Sequence, residues 1–230
     1  MKKYDVFLFD ADGTLFDYDM AEANALKIMF GKCGFDYSEN IRSVYREINS
    51  QEWKKFESGE TAKDELQVSR FRRLFIEMGV SHDAADFNKN YLHELGKGSF
   101  LIEGAHEICG HIASSGKNIY IVTNGILATQ KARIEYSSIK NYISDFFISE
   151  FVGFQKPHIK YFEYVFSHIP PVGKDKILII GDSLTADISG GINAGIDSCW
   201  FNASGAENVT GIKPVYEIMK LAELKQFAGA

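Results

Sequence analysis

The sequence predicts an α/β protein, an open doubly wound parallel sheet that carries an inserted all-helical domain. Five short apolar runs alternate with stretches of helical spacing over most of the chain. The first run is separated from the other four by a long segment, from about residue 20 to 95, that is rich in charge and aromatics and holds no strand-like run. Acidic and hydroxyl side chains fall at the ends of apolar runs, and a lysine lies in the loop that follows one, where an α/β sheet of this kind gathers its ligand-binding groups.

YDVFLF (4–9) is almost continuously apolar, as a parallel strand covered on both faces requires. NIYIVT (118–123), DFFIS (145–149), KILIIG (176–181) and DSCWF (197–201) follow it as strands. Between them Ala105, Ile108, Cys109 and Ile112 recur at helical spacing, as do Ile159, Phe162 and Phe166, with Pro157 expected at the first helical position. Strand and helix in alternation make the doubly wound sheet the natural arrangement. In the inserted segment Ala21, Leu26, Ile28 and Met29 share one helical pattern. Leu66, Phe71, Leu74, Phe75 and Met78 share another, expected to start at Thr61 with Glu65 in its first turn. The helical domain is placed at residues 18–96, with hinges near FDYDM and LGKGSF, and the core at 1–17 and 97–230.

The chain's 230 residues suffice for a sizeable core, and 45% hydrophobic with 24% charged residues is ordinary for a soluble globular protein. No run approaches the ~18 apolar residues of a membrane span. Asp10 and Asp12 interrupt the apolar stretch of MKKYDVFLFDADG, which makes it a poor signal peptide and a good first strand. A net charge of −6 disfavours a nucleic-acid polymer as partner. A small anion remains compatible, because one lysine and a divalent cation reverse the field inside a cleft. Cys33, Cys109 and Cys199 show no CxxC pairing, so neither a disulfide framework nor a zinc site is expected, and a cytoplasmic setting fits. The NVT triplet at Asn208 is read as chance. His106 and His111, five apart, miss the spacing that would put both on one helical face, and His158 is read as structural.

In FLFDADGTLFD, two like charges, Asp10 and Asp12, stand one residue apart at the end of a buried strand. Repulsion and desolvation make that costly unless something positive sits between them. Thr123 and Asn124 end the second strand, Lys156 lies in GFQKP after the third, and Asp182 and Asp187 lie in GDSLTAD after the fourth. The set suits an oxygen-liganded magnesium ion and a phosphate group. Each element alone has an ordinary explanation: a turn, a helix cap, a solvated lysine. GGINAG is no phosphate loop, since no GK[ST] follows. Four ordinary explanations would have to coincide at one sheet edge, so the joint functional reading is preferred.

DADGT, TNG, GFQKP and GDSLTAD together resemble the four motifs of the haloacid dehalogenase-like hydrolases, and the helical insertion resembles that family's cap, placed after the first motif. The resemblance runs from residue 5 to about 202. It implies a Rossmann-like core with Asp10 as nucleophile and Asp12 as general acid/base. It implies Thr123 and Lys156 as phosphate binders, with Asn124 beside them, and Mg2+ on Asp10, Asp182 and the main-chain carbonyl of Asp12. Asp187 would be an outer partner of the metal or of Lys156.

The chemistry also has independent grounds. A carboxylate attacking a phosphate dianion meets like-charge repulsion that a bridging metal relieves. A lysine neutralises the spreading charge, and hydroxyl and backbone donors orient it. An alkoxide leaves poorly unless a nearby acid supplies a proton. Within the resemblance, dehalogenases carry an aromatic residue at the place of Asp12 and phosphonatases typically alanine, so an acid there favours a phosphate ester.

The stretch EWKKFESGETAKDELQVSRFRRLF, with FDADGTLFDYD, resembles the pyrimidine 5′-nucleotidase branch, which implies nucleoside monophosphates such as UMP, dUMP and TMP as substrates. Trp53 and Phe56 would offer a stacking face for a base, or else pack helices together. Tyr18 and Asp19 would line the hinge or substrate entrance. Arg70, Arg72 and Arg73 are expected on the solvated face of an amphipathic helix. The alternatives are a sugar-phosphate phosphatase or phosphosugar mutase of the same family, and a regulator that binds a phosphorylated metabolite without turnover. A monomer or weak homo-oligomer, with closure of the cap over the substrate, is expected.

Overall fold

The computed structural model describes residues 2–229. They group into two compact units: a core, reaching to Tyr18 and resuming at Ser99, and a helical unit, Asp19–Gly98. The core sheet consists of β1 (Val6–Phe9), β2 (Asn118–Thr123), β3 (Asp145–Ile148), β4 (Ile177–Gly181), β5 (Asp197–Phe201) and β6 (Tyr216–Ile218). All neighbouring pairs are parallel, in the order β3-β2-β1-β4-β5-β6. The chain steps outward from β1 to β3 and then restarts on the other side of β1. The strand order therefore reverses between β1 and β4, the place where open α/β sheets bind ligands. The expected doubly wound fold is present. β6 was not expected: of its three residues only Ile218 is buried, too few to read as an apolar run.

The helical unit contains α1 (Tyr18–Cys33, its first residue still in the core), α2 (Glu39–Glu57), α3 (Lys63–Met78) and α4 (Ala84–Gly96). Ser38 caps α2 by accepting from the Ile41 amide, and Asp83 caps α4 by accepting from Ala85 and Asp86. The expected start of α3 at Thr61 is corrected: Ala62 holds the cap position without a side-chain bond, so the helix begins at Lys63, with Glu65 still in its first turn. An aromatic cluster forms this unit's core, with Phe71 4.8 Å from Phe87 and stacked 5.3 Å from Tyr45. Arg70 is not on a solvated face. It is 1% exposed and donates to Asn49 Oδ1 and Asn88 Oδ1 at 3.0 Å each, which makes burial of its charge tolerable. Arg72 is exposed, paired with Glu65, and Arg73 pairs with Glu52.

In the core, α5 (Ala105–Ser114), α6 (Leu127–Tyr136), α7 (Ser149–Val152), α8 (Ile159–His168) and α9 (Ser189–Ala194) cover the sheet. The period-two alternation of β1 divides the core cleanly. Phe7 and Phe9 join the cluster that contains Ala105, Ile108, Cys109 and Ile112 of α5, while Val6 and Leu8 join the one that contains Tyr161, Phe162 and Val165 of α8. Pro157 is not the first residue of α8. His158 caps that helix by accepting from the Lys160 amide, which places Pro157 ahead of the cap. The cysteines are free thiols, and among the described residues no helix is long and apolar enough to cross a membrane.

Candidate active site

Strand register brings the polar residues to one edge. Phe9 is level with Ile121 of β2 and Ile180 of β4, so Asp10 emerges beside the carboxyl ends of both. The Asp10 amide donates to Ile180 O at 2.8 Å, which holds this residue in line after β1 ends. Thr123 closes β2, and Asp182 follows Gly181 at the end of β4.

Lys156 reaches this edge from the loop between α7 and α8 and is 2% exposed. Its Nζ donates to Asp10 Oδ1 at 2.7 Å, Asp187 Oδ1 at 2.6 Å and Val122 O at 2.7 Å, which uses all three ammonium protons. Burial works against its charge, but the Asp10 and Asp187 carboxylates outweigh burial and hold the ammonium protonated well above the ordinary lysine range. Asp187 also accepts from the Ser183 amide through Oδ2 at 3.1 Å. It is carried on a π-helical turn, Leu184–Ile188, whose extra residue per turn aims it across the loop at Lys156. Gly181 is required here, since a Cβ at that position would collide with the Asp187 carboxylate.

Asp10, Asp182 and Asp187 offer carboxylate oxygens that all lie within 4.8 Å of one another. Three acids face one ammonium, so the site is short of positive charge. The Asp10 carboxyl is pushed well up, first by burial and then by Asp187 and Asp182, against the pull of Lys156. Asp182 stands with its surface open to water, yet the protein packed around it and the Asp187 charge push its carboxyl up to about 7. An all-oxygen set with excess negative charge fits a hard divalent cation such as Mg2+. Asp187, engaged by Lys156 and Ser183, suits the outer place, which leaves Asp10 and Asp182 as residues that could hold such an ion. Behind them, Trp200 Nε1 donates to the main-chain oxygen of Asp182 at 2.9 Å.

Thr123 is buried, and its Oγ1 accepts from the Gly125 amide at 3.0 Å. The Asn124 side chain turns to the lysine loop: its Nδ2 donates to Lys156 O, and its Oδ1 accepts from the Lys156 amide, both at 2.9 Å. It therefore joins two of the sequence motifs to each other.

Asp12 lies two residues beyond Asp10, and its two oxygens are engaged by α6: Gln130 Nε2 donates to Oδ2 and Arg133 to Oδ1. Neither partner was singled out from sequence. The available signal was a buried-face pair of polar residues three apart on the helix after TNG. Tyr18, half-buried, is the last residue of the core's first segment. Trp53 lies in the helical unit, half-buried, with its ring 5.7 Å from Phe56 in an edge-to-face pair, so Phe56 is explained by packing. Among the described residues, no histidine joins a group that could hold a metal.

A model of the haloacid dehalogenase-like hydrolases matches residues 4–195. The chain is 42% identical to the HAD-hydrolase YfnB of Bacillus subtilis, over 97% of this chain and 95% of that one. A crystal structure of YfnB bound to magnesium superimposes with a TM-score of 0.93, at 40% identity and full coverage of both chains. Pyrimidine 5′-nucleotidase PynA of Streptococcus pneumoniae is 37% identical over 96% of this chain and 93% of its own length. Pyrimidine 5′-nucleotidase YjjG of Escherichia coli is 32% identical over 97% of each. With the sheet and its acid–lysine cluster, the family model and these relatives define a hydrolase. The chain belongs to the haloacid dehalogenase-like hydrolase family.

Proposed function

We propose that this hydrolase is a Mg2+-dependent phosphomonoesterase that works through an aspartyl-phosphate on Asp10 and acts on pyrimidine nucleoside monophosphates. The observation that carries the chemistry is the buried ammonium of Lys156 held between Asp10 and Asp187, with Asp12 two residues from the nucleophile. The substrate class is supported by likeness, over nearly the full chain, to two proteins named pyrimidine 5′-nucleotidase.

In this reading an Asp10 carboxylate oxygen attacks phosphorus, and the bond from phosphorus to the ester oxygen breaks. Asp12 gives its proton to the departing oxygen, then takes one from the water that cleaves the aspartyl-phosphate, which restores Asp10 and releases phosphate. Lys156 is a fixed positive charge beside the attacking carboxylate. The Thr123 hydroxyl and backbone amides of the TNG turn orient the phosphoryl oxygens. Mg2+, held by Asp10, Asp182 and the Asp12 main-chain carbonyl, would supply charge neutralisation between nucleophile and phosphate. Asn124 would contribute its backbone amide, since its side chain serves Lys156. We assign Tyr18 and Trp53 to contacts with the leaving nucleoside. Free thiols and a net charge of −6 favour a cytoplasmic setting and a small-molecule substrate without a nucleic-acid polymer.

Phosphate release from a panel of nucleoside monophosphates and sugar phosphates, with magnesium and with Asp10→Asn as control, tests the reading. Selective release from UMP, dUMP or TMP is expected. Release mainly from sugar phosphates would keep the Asp10 chemistry and overturn the substrate class. Isomerised sugar phosphate without phosphate release would replace hydrolysis by a mutase.

A further inference from the structure

We propose that Gln130 and Arg133 are positioning residues for Asp12, holding its carboxyl plane in the orientation that serves the leaving oxygen. The inference rests on the phosphatase reading above and adds to it a device for aiming the general acid. Gln130 and Arg133 stand three apart on α6, so one helix face presents both. Each takes a different oxygen: Gln130 Nε2 donates to Oδ2 and Arg133 to Oδ1. One donor would leave the carboxylate free to rotate about its bond to Cβ. Two donors on opposite oxygens fix that rotation as well as the position of the group.

Three further observations separate this arrangement from ordinary core packing. Gln130 is 1% exposed, yet its Oε1 is buried without a hydrogen-bond partner. A residue chosen only to satisfy the core would not bring in an acceptor that nothing meets; its place is explained by what its Nε2 does for Asp12. Gly125, the glycine of TNG, leaves the room that the Gln130 amide occupies, since a Cβ there would strike it. Arg133, fully buried, lies with its guanidinium 5.0 Å from the centre of the Phe16 ring, and Phe16 forms a β-bridge with Asp12 itself. The loop that carries Asp12 thus holds the arginine that orients it.

The test compares the wild type's best alkyl monophosphate with p-nitrophenyl phosphate, whose leaving group needs little protonation. Gln130→Met keeps the approximate volume and removes the donor; Arg133→Lys keeps the charge and removes the planar fork. Gln130→Met is expected to lower kcat on the alkyl ester by roughly 10–100-fold, part of what a general acid contributes. The loss on p-nitrophenyl phosphate is expected to be less than about threefold, with KM for both esters little changed. In an Asp12→Asn background the same substitution is expected to change the residual alkyl rate by less than about twofold, because a residue acting through Asp12 is non-additive with it. Arg133→Lys should show the same split between esters. Equal losses on both esters, or an undiminished loss in the Asp12→Asn background, would overturn the positioning role alone. A wild type silent on both esters would overturn the phosphatase reading and this inference with it.

Discussion

Asn124 and Lys156 are joined by a reciprocal pair of hydrogen bonds, the Asn124 amide donating to the Lys156 carbonyl and accepting from the Lys156 N–H, both at 2.9 Å. The segment after β2 thereby fixes the backbone that delivers Lys156. Asn124→Ala removes both bonds and should cost about 1–3 kcal/mol of stability, at about 0.5–1.5 kcal/mol for each. Because Lys156 would lose its anchor, kcat should fall by roughly tenfold or more with the fold intact. Urea unfolding and steady-state kinetics check both, and unchanged kcat would show that Lys156 does not depend on this tether.

Lys156 also neutralises Asp10 and Asp187, both buried with it. Lys156→Met would leave two buried carboxylates facing each other and should destabilise the protein by about 3–5 kcal/mol, measured by urea unfolding in the presence of a chelator. Adding Asp187→Asn should recover part of that loss. If the double variant were no more stable than Lys156→Met, the penalty would not come from the unpaired charges.

Trp200 gives the proposed metal a reporter that is independent of turnover, because its indole N–H is bonded to the main-chain oxygen of Asp182. The chain has two tryptophans, so Trp53→Phe leaves Trp200 as the sole source of indole fluorescence. Magnesium should change that emission saturably, a chelator should reverse the change, and Asp182→Asn should abolish it. Saturation that persists in Asp182→Asn would remove Asp182 from the ligand set.

Glu52, buried in the helical unit, links that unit's stability to pH. Burial raises its carboxyl, but hydrogen bonds from Ser69, Lys55 and Arg73 outweigh burial and bring it from its ordinary 4.5 down to about 2. The folded form thus binds a proton less readily than the unfolded chain. The resulting stability is fully present above pH 4.5 and is lost as pH falls toward 2. Glu52→Gln should lower the melting temperature at pH 7, with the gap to wild type closing across that window. A gap of constant size down to pH 2 would mean that the Glu52 charge contributes nothing.

The five longer strands and the motif residues were legible because both rest on local pattern. β2 and β5 match their apolar runs NIYIVT and DSCWF residue for residue, and Asp10, Lys156, Asp182 and Asp187 lie together at one sheet edge. Features that depend on tertiary partners were not legible. Arg70 reads as a solvated charge until Asn49 and Asn88, on two other helices, are seen to accept its protons. Gln130 and Arg133 are two more polar residues on a helix until the fold brings Asp12, more than a hundred positions away, against them. The structural duty of the Asn124 side chain was likewise hidden, because its partner is the main chain of a distant loop.

The most direct measurement is an acid quench during turnover of a nucleoside monophosphate, followed by mass analysis of the peptide containing FLFDADGTLFD. One added phosphoryl group is expected, on Asp10 and not on Asp12, and it should be absent from Asp10→Asn, a variant that should be folded and inactive. Turnover that continues in Asp10→Asn, or a phosphoryl group trapped on another residue, would contradict it.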